Sequence, residues 1–408
     1  MPQDPDPSPE IVMYGTAWCG DCKRAKQFFA EQRVKYRFVD VDGDEAGRAV
    51  VETYNDGKTI IPTIVFTDGA VLVEPSNAEL AAQLGLQTVA RQHYYDLIVV
   101  GSGPTGLTAA LYAAREGIDT LVIERGGVGG QAAVTERLDN FPGFPEGVTG
   151  EEFAARLRAQ AERFGVEILS AQQVTGIEPE GDAWDVATGD GEVYRAAAVL
   201  VATGSTYRRL GVPGEADFIG AGVHFCATCD GAFYRDRDVL VVGGGNSAGE
   251  EGLFLTKFAR TVTLLTRDTA LSASKVIVDK IEAHPQVRVL TRTIPVEFNG
   301  ESKLSGVTVE NTETGERSQL HPDGVFVFIG LTPNAELVSH LVDVDPAGFV
   351  VTDVGLQTSQ RGLFAAGDVR AGSTKQAASA AGEGAAVALA IRRHLAEVGT
   401  NMRPALVS

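Results

Sequence analysis

DLIVVGSGPTGLTAALYAAREGIDTLVIE, residues 96 to 124, decides the fold of most of this chain. An unbroken apolar run leads into Gly101-x-Gly103-x-x-Gly106, then a helical segment, then a second apolar run that ends in Glu124, 23 positions after Gly101. That is the strand, glycine turn, helix and strand of a dinucleotide-binding βαβ unit. The glycines, with Pro104 and Thr105 between them, let backbone approach a pyrophosphate at the positive helix end, and Glu124 can accept hydrogen bonds from an adenosine ribose. The same order returns from residue 239 in VLVVGGGNSAGEEGLFLTKFARTVTLL, where Gly243-x-Gly245-x-x-Ala248 encloses Asn246 and Ser247. Here Thr266 stands where Glu124 stood, followed by Arg267 and Asp268. A carboxylate at that position would repel a 2′-phosphate and Arg267 can pair with one, so the site leans towards NADPH; Asp268 weakens the lean and NADH stays open.

The 408 residues exceed what one core usually organises, so two or three domains are expected. A formal charge of −19 is spread over both halves and makes nucleic acid an improbable partner. The opening MPQDPDPSPE has neither a basic residue nor an apolar run and reads as a flexible leader over 1–9, not as a signal peptide. No uninterrupted apolar stretch of about 18 residues occurs, so no membrane partner and a cytoplasmic location are expected. All four cysteines form two Cys-x-x-Cys pairs, Cys19/Cys22 and Cys226/Cys229. In a reducing cytosol such pairs are redox or metal sites more often than staples. Their separation is far from the spacing of a zinc ribbon, which sets a metal site aside.

The first 86 residues carry a separate pattern. IVMY at 11–14, a helical segment from Cys22 to about Gln32, a strand at 36–41, a polar helix near 44–54 and a strand at 63–66 give a strand-helix-strand-helix-strand order. Cys19 would lie at the N-terminus of the first helix, where partial positive charge favours a thiolate, with Cys22 one turn along as the resolving thiol. The run LQTVARQHYY, 86–95, lacks strong turn signals and is expected to be partly helical.

FCATCDGAFYRDRDVLVVGGGNSAGEE, from residue 225, resembles the active-site and pyridine-nucleotide segment of low-molecular-weight thioredoxin reductases, which are FAD-dependent pyridine nucleotide-disulfide oxidoreductases. GGQAAVTERLDNFPG (129–143), LVATG (200–204), IGLTPN (329–334) and GLFAAGD (362–368) extend the likeness over residues 96 to about 398. The segment from VMYGTAWCGDCKRAK to IIPTIVFTDGAVLVEPS resembles glutaredoxin-like proteins, mycoredoxins in particular, with Ile61-Pro62 at the place of a cis-proline beside the dithiol. The resemblance implies an α/β architecture: a thioredoxin-fold domain at 10–86, a linker at 87–94, a Rossmann-like three-layer FAD domain at 95–212 and 327–400, and a Rossmann-like NAD(P)H domain at 213–326.

It also implies roles. Cys229 would face the flavin, Cys226 would attack the external disulfide, and Asp230 would protonate a departing thiolate; His224 is a second possible proton carrier. Gly130, Gln131, Asn140, Thr203, Gly204, Gly367, Asp368, Lys375, Gln376 and Ala377 would join Gly101, Gly103 and Glu124 around FAD, Asp368 on the ribityl chain and Lys375 supplying positive charge. One departure stands out: members usually show His-Arg-Arg followed four residues later by Arg, where this chain has Thr266-Arg267-Asp268 and Ser272. Lys275 is the nearest compensating cation.

The implied activity is an NAD(P)H-dependent disulfide reductase that passes electrons from NAD(P)H through FAD and Cys226/Cys229 to Cys19/Cys22, after rotation of the two nucleotide domains. The final acceptor would be a thioredoxin-like protein or a low-molecular-weight thiol disulfide, and a homodimer is expected. A peroxiredoxin-reducing flavoprotein, a dithiol oxidase and a redox-sensing interaction protein remain as alternatives.

Overall fold

Short runs of apolar residues bounded by turns set the first sheet. In the computed structural model, which describes residues 11–399 except 17, 136, 139 and 302, β1 (Ile11–Gly15), α1 (Gly20–Glu31), β2 (Tyr36–Asp40), α2 (Glu45–Tyr54), β3 (Thr63–Val65), β4 (Val71–Val73) and α3 (Asn77–Gln83) form the N-terminal domain. Of Thr228 and Cys229 only the backbone is described, and the leader expected over 1–9 lies outside the described residues. The strands order as β2-β1-β3-β4, parallel between β1 and β2 and antiparallel elsewhere, around Met13, Phe28, Phe29, Ile64 and Leu80. The sequence pattern missed β4 and α3. Ser76 and Glu79 make a reciprocal capping box at the start of α3, a signal present in the letters S-N-A-E.

No helix forms over 86–93, contrary to the expectation for that run. Its backbone groups are taken by the next domain: Ser170 N–H donates to the Gln87 carbonyl at 2.8 Å, and Arg91 N–H donates to the Glu167 carboxylate at 2.8 Å. A helix would have to give those bonds up.

The apolar runs around both glycine turns become buried parallel strands, as continuous hydrophobic patterning requires. β5 (Tyr94–Val100), α4 (Pro104–Arg115), β6 (Thr120–Ile123), α5 (Gly150–Arg163), β7 (Glu167–Leu169), β8 (Val174–Glu180), β9 (Ala183–Thr188) and β10 (Val193–Val201) build a sheet ordered β7-β6-β5-β10-β9-β8. β10 changes neighbours along its length, pairing β9 antiparallel near Ala196 and, from Val199, a strand that arrives from the far end of the chain. β11 (Ser205–Tyr207) leaves this unit. β12 (Val223–His224), α6 (Ala227–Asp230), β13 (Asp238–Val242), α7 (Asn246–Leu255), β14 (Thr261–Leu265), α8 (Lys275–Glu282), β15 (Val287–Leu290), β16 (Thr293–Gly300), β17 (Leu304–Asn311), β18 (Arg317–Leu320) and β19 (Gly324–Val327) follow. They give a five-stranded parallel sheet, β12-β19-β13-β14-β15, and an antiparallel β16-β17-β18 layer.

β20 (Leu331–Pro333) pairs antiparallel with β11, so both crossings between the two nucleotide units run side by side. β21 (Leu363–Ala365) is the strand that completes the first sheet, and α9 (Ala377–Val398) packs on α4. Separate apolar clusters cover the two faces of each large sheet, as three-layer packing demands. Among the described residues no helix is long and apolar enough to cross a membrane.

Candidate active site

The first glycine turn is shaped for a diphosphate. Gly101 holds φ +102°, and a Cβ there would stand 2.6 Å from the Ala202 carbonyl oxygen; a Cβ on Gly106 would stand 1.9 Å from the oxygen of Gly101. Gly103 caps α4 without any side-chain hydrogen bond, with Pro104 in the first turn, so the leading N–H groups have no side-chain acceptor. Glu124 directly follows β6, with one oxygen held by the N–H and hydroxyl of Ser102 at 2.8 and 2.7 Å and the other by Gly126 N–H at 2.8 Å. An anion-binding helix end beside a fixed carboxylate is the donor and acceptor set that the pyrophosphate and ribose of FAD require.

Distant segments close around the same helix end. A Cβ on Gly367 would lie 2.3 Å from the Thr105 hydroxyl, so the turn carrying Asp368 sits directly on α4. Burial pushes the Asp368 carboxyl above its usual range, opposed by Lys375, whose Nζ donates to the Asp368 carbonyl at 2.6 Å and stands 4.1 Å from the Phe349 ring centre. Asn140 donates to Gln376 at 3.0 Å across 236 positions of sequence, and α9 starts at Ala377 with no side-chain cap. Gly130 and Gln131 open a 3-10 turn, Gly130–Val134. Thr203 and Gly204 meet Asn334: the Thr203 hydroxyl donates to the Asn334 carbonyl at 2.6 Å, and Asn334 N–H donates to the Gly204 carbonyl at 3.0 Å.

In the second unit Gly243 and Gly245 turn into α7, Ala248 is fully buried, and Asn246 accepts from Ser274 N–H at 2.6 Å. Ser247 follows at the helix start. Thr266 is buried at the end of β14 while the Arg267 side chain is 82% exposed, 3.9 Å from Asp268. Lys275, the other cation considered for this site, is 87% exposed and pairs with Asp279 one turn along α8 at 2.9 Å. Ser272 donates to the Gly244 carbonyl and supports the turn.

Cys226 is disulfide-bonded, whereas Cys19 and Cys22 are free thiols. Cys229 lies in α6; its side chain falls outside the described residues. His224 Nδ1 stands 3.3 Å from the Asp230 carboxylate and its Nε2 2.7 Å from the Tyr234 hydroxyl, in a buried cluster closed by Phe326. Tyr207 on β11 stacks on Phe225 at 5.3 Å. Burial and the nearby carboxylates of Asp368, Asp230 and Glu251 push its phenol up to about 12. One buried phenol thus feels acids of both nucleotide units.

In the N-terminal domain Cys19 is the N-cap of α1, and its sulfur accepts from Cys22 N–H at 3.1 Å. Burial and the Cys19 sulfur push the Cys22 thiol up to about 12. The Ile61–Pro62 peptide is cis, and the Ile61 carbonyl faces Cys19. A groove lined by Trp18, Cys19, Asp21, Thr59, Ile60 and Glu74 opens there, with Trp18 70% exposed at its lip.

Residues 95–384 match the family model described as pyridine nucleotide-disulphide oxidoreductase, and residues 11–71 match the model described as glutaredoxin. The chain belongs to the pyridine nucleotide-disulphide oxidoreductase family. It is a disulfide reductase of the thioredoxin reductase type carrying a fused glutaredoxin domain. It is 45% identical over 307 residues to the thioredoxin reductase of Mycolicibacterium smegmatis, covering 75% of this chain and 98% of that one. It is 44% identical over 309 residues to the bifunctional thioredoxin reductase/thioredoxin of Mycobacterium leprae (strain TN), covering 76% and 67%. The thioredoxin reductase structure from Streptococcus pyogenes MGAS5005 superposes with a TM-score of 0.71 at 40% identity, over 75% of this chain and 99% of that one. The family and fold expected from the sequence are therefore borne out.

Some residues that shape this reductase were not singled out from sequence. Arg370 forks onto Glu383 at 2.8 and 2.9 Å, and Glu383 also accepts from Gly367 N–H, fixing the turn that carries Asp368. Glu383 is the one acid in the AASAAGEGAAVALA stretch of α9, and an acid in so apolar a setting asks for a partner. Tyr207 left no comparable signal.

Proposed function

We propose that the chain is an NAD(P)H-dependent reductase that delivers electrons from the Cys226/Cys229 pair to the Cys19/Cys22 pair of its own N-terminal domain, and from there to an external disulfide. The observation that carries the outlet is the Cys19 groove: its lining comes wholly from the N-terminal domain, so a substrate reaches Cys19 without displacing the nucleotide domains. FAD and NADPH, when bound, supply the two electrons that open the Cys226 disulfide.

The side chains account for the thiol steps. Reduced Cys226 attacks the Cys19 sulfur of an oxidised Cys19–Cys22 bond, Cys22 leaves and takes a proton, and Cys229 then displaces Cys19 from Cys226. His224, itself bonded to Tyr234, stands against Asp230, the residue after Cys229, and Asp230 protonates or deprotonates the departing and attacking sulfurs. On the outlet, Cys19 attacks the substrate disulfide and Cys22 resolves the mixed disulfide. Burial and the Cys19 sulfur keep Cys22 protonated, and bonding of Cys19 to substrate removes the part that comes from Cys19.

Transfer between the pairs requires rotation of the units about β11 and β20, or delivery from the second subunit of a homodimer. A tethered acceptor has an effective concentration in the mM range when its linker spans the gap. The residue ranges 10–86, 95–212 with 327–400, and 213–326 are the three bodies that would move. Asp230→Asn tests the acid: NADPH should still bleach the flavin at the wild-type rate, while transfer to a small disulfide slows by about 10²-fold or more. Unchanged transfer would remove Asp230 from the mechanism.

A further inference from the structure

The N-terminal domain meets the flavin unit through the end of α1 remote from Cys19, and its contacts converge on one loop. Gly127 N–H donates to the Glu31 carbonyl at 2.7 Å, and Gln32 Nε2 donates to the Arg125 carbonyl at 3.0 Å. The Arg33 guanidinium forks onto the carbonyl oxygens of Val128 and Gly130 at 2.9 and 2.7 Å. Arg33 takes a left-handed backbone, φ 56°, just past the helix. Opposite it the loop has no side chain: a Cβ on Gly127 would stand 3.0 Å from Cγ and Cδ of Arg33, and one on Gly126 would stand 3.1 Å from the Glu31 carbonyl oxygen. Lys35 and Glu151, 86% and 77% exposed, add a surface pair of small worth.

This loop is the continuation of the ribose-side carboxylate. Gly126 N–H donates to Glu124, and Gly129 N–H donates to the carbonyl of Ser102, which is itself bound to Glu124. A Cβ on Gly130 would stand 3.1 Å from the Cα of Gly103, at the start of α4. Burial lowers the Arg33 pKa and the Glu124 charge opposes that, so cation and carboxylate share one environment. Carbonyl oxygens hold the fork without neutralising it, which leaves its charge and its remaining N–H donors to an anion.

We propose that the N-terminal domain completes the adenosine-diphosphate end of the flavin site, with Arg33 clipping the 125–130 loop and placing a positive charge beside Glu124 and the α4 N-terminus. FAD binding and docking of the N-terminal domain are then one linked equilibrium, and each strengthens the other by the same factor. The inference rests on the FAD reading of the Gly101 turn. Arg33 is a positioning residue supplied to the cofactor by a domain otherwise concerned with thiols.

The test uses full-length apoprotein of wild type, Arg33→Ala and Arg33→Lys, titrated with FAD and followed by flavin fluorescence quenching. Wild type should bind one FAD, Arg33→Ala about 10-fold or more weakly, and Arg33→Lys in between, since a lysine keeps the charge and loses the fork. Tryptic cleavage after Arg91, in the segment joining the domains, is the second readout: FAD should slow it in wild type and not in Arg33→Ala. Equal FAD affinity in wild type and Arg33→Ala, or equal protection of both by FAD, overturns the clamp while leaving the flavin reading intact. A wild type that binds no FAD overturns both. Because Arg33→Lys preserves the cation, a folding failure of the alanine variant does not hide the answer.

Discussion

Cys22 is a thiol held protonated by burial and by the sulfur of its neighbour Cys19. The sign of its effect on stability follows. Between the ordinary value of 9.0 and the folded value of about 12 the unfolded chain has released this proton and the folded chain keeps it, so the unfolded state binds fewer protons and stability falls as pH rises through that window. The N-terminal domain should therefore lose thermal stability from about pH 9 upwards, and Cys22→Ala should flatten that part of the profile; the same loss in the variant would assign it to another group. At Arg267 the expectation concerns specificity. Its side chain stands largely in solvent beside the second glycine turn, 3.9 Å from Asp268. Arg267→Gln should raise KM for NADPH about 10-fold and leave KM for NADH alone, as measured by steady-state flavin-linked turnover. Equal KM changes for both nucleotides would mean that Arg267 does not read the 2′-phosphate. Glycines and cysteines of this kind were legible because their chemistry depends on spacing within a few residues. Tyr207 and Arg33 were not, because what defines them is a neighbour brought in by the fold, as with the Val128 and Gly130 carbonyls against Arg33.

The elements show the same division. β5, α4 and β6 were readable because a buried parallel strand is a solid apolar run and a glycine turn marks its end. The short β4 and α3 were not, three and seven residues being too few to display a period, although the Ser76–Glu79 box announced α3. The segment 86–93 was misread as partly helical because the groups that hold it, Glu167 and Ser170, lie far along the chain. α9 carries the most consequential pair at this scale. Glu383 ties Arg370 and the Gly367 N–H, and its two partners belong to the turn that supports Asp368. Glu383→Gln leaves Arg370 with an uncompensated charge in a half-buried site, and should lower unfolding free energy by about 3 kcal/mol and increase FAD loss on dilution. Denaturant melts of holoenzyme and apoprotein check this; an unchanged midpoint in both would show that the fork adds nothing.

At the scale of the molecule, the two cysteine pairs sit on different units: Cys19 and Cys22 are buried in the N-terminal domain and Cys226 is partly buried in the second nucleotide unit. Cys226 lies near the join of the two nucleotide units, where Phe225 stacks on Tyr207 of β11 and β11 pairs with β20. Cys19 opens at the far end of α1 from the surface by which its domain is docked. In the proposed relay the docked arrangement serves release of electrons to an outside disulfide, and movement or a second subunit serves the loading of Cys19. The central claim is that the fused domain is the working outlet of the reductase. Anaerobic stopped-flow mixing with NADPH, following flavin bleaching together with turnover of a small disulfide, tests it in wild type and Cys19→Ser. The account predicts that both forms bleach at the same rate and that only wild type turns over the disulfide. Equal turnover by Cys19→Ser would contradict it and make Cys226 the direct donor.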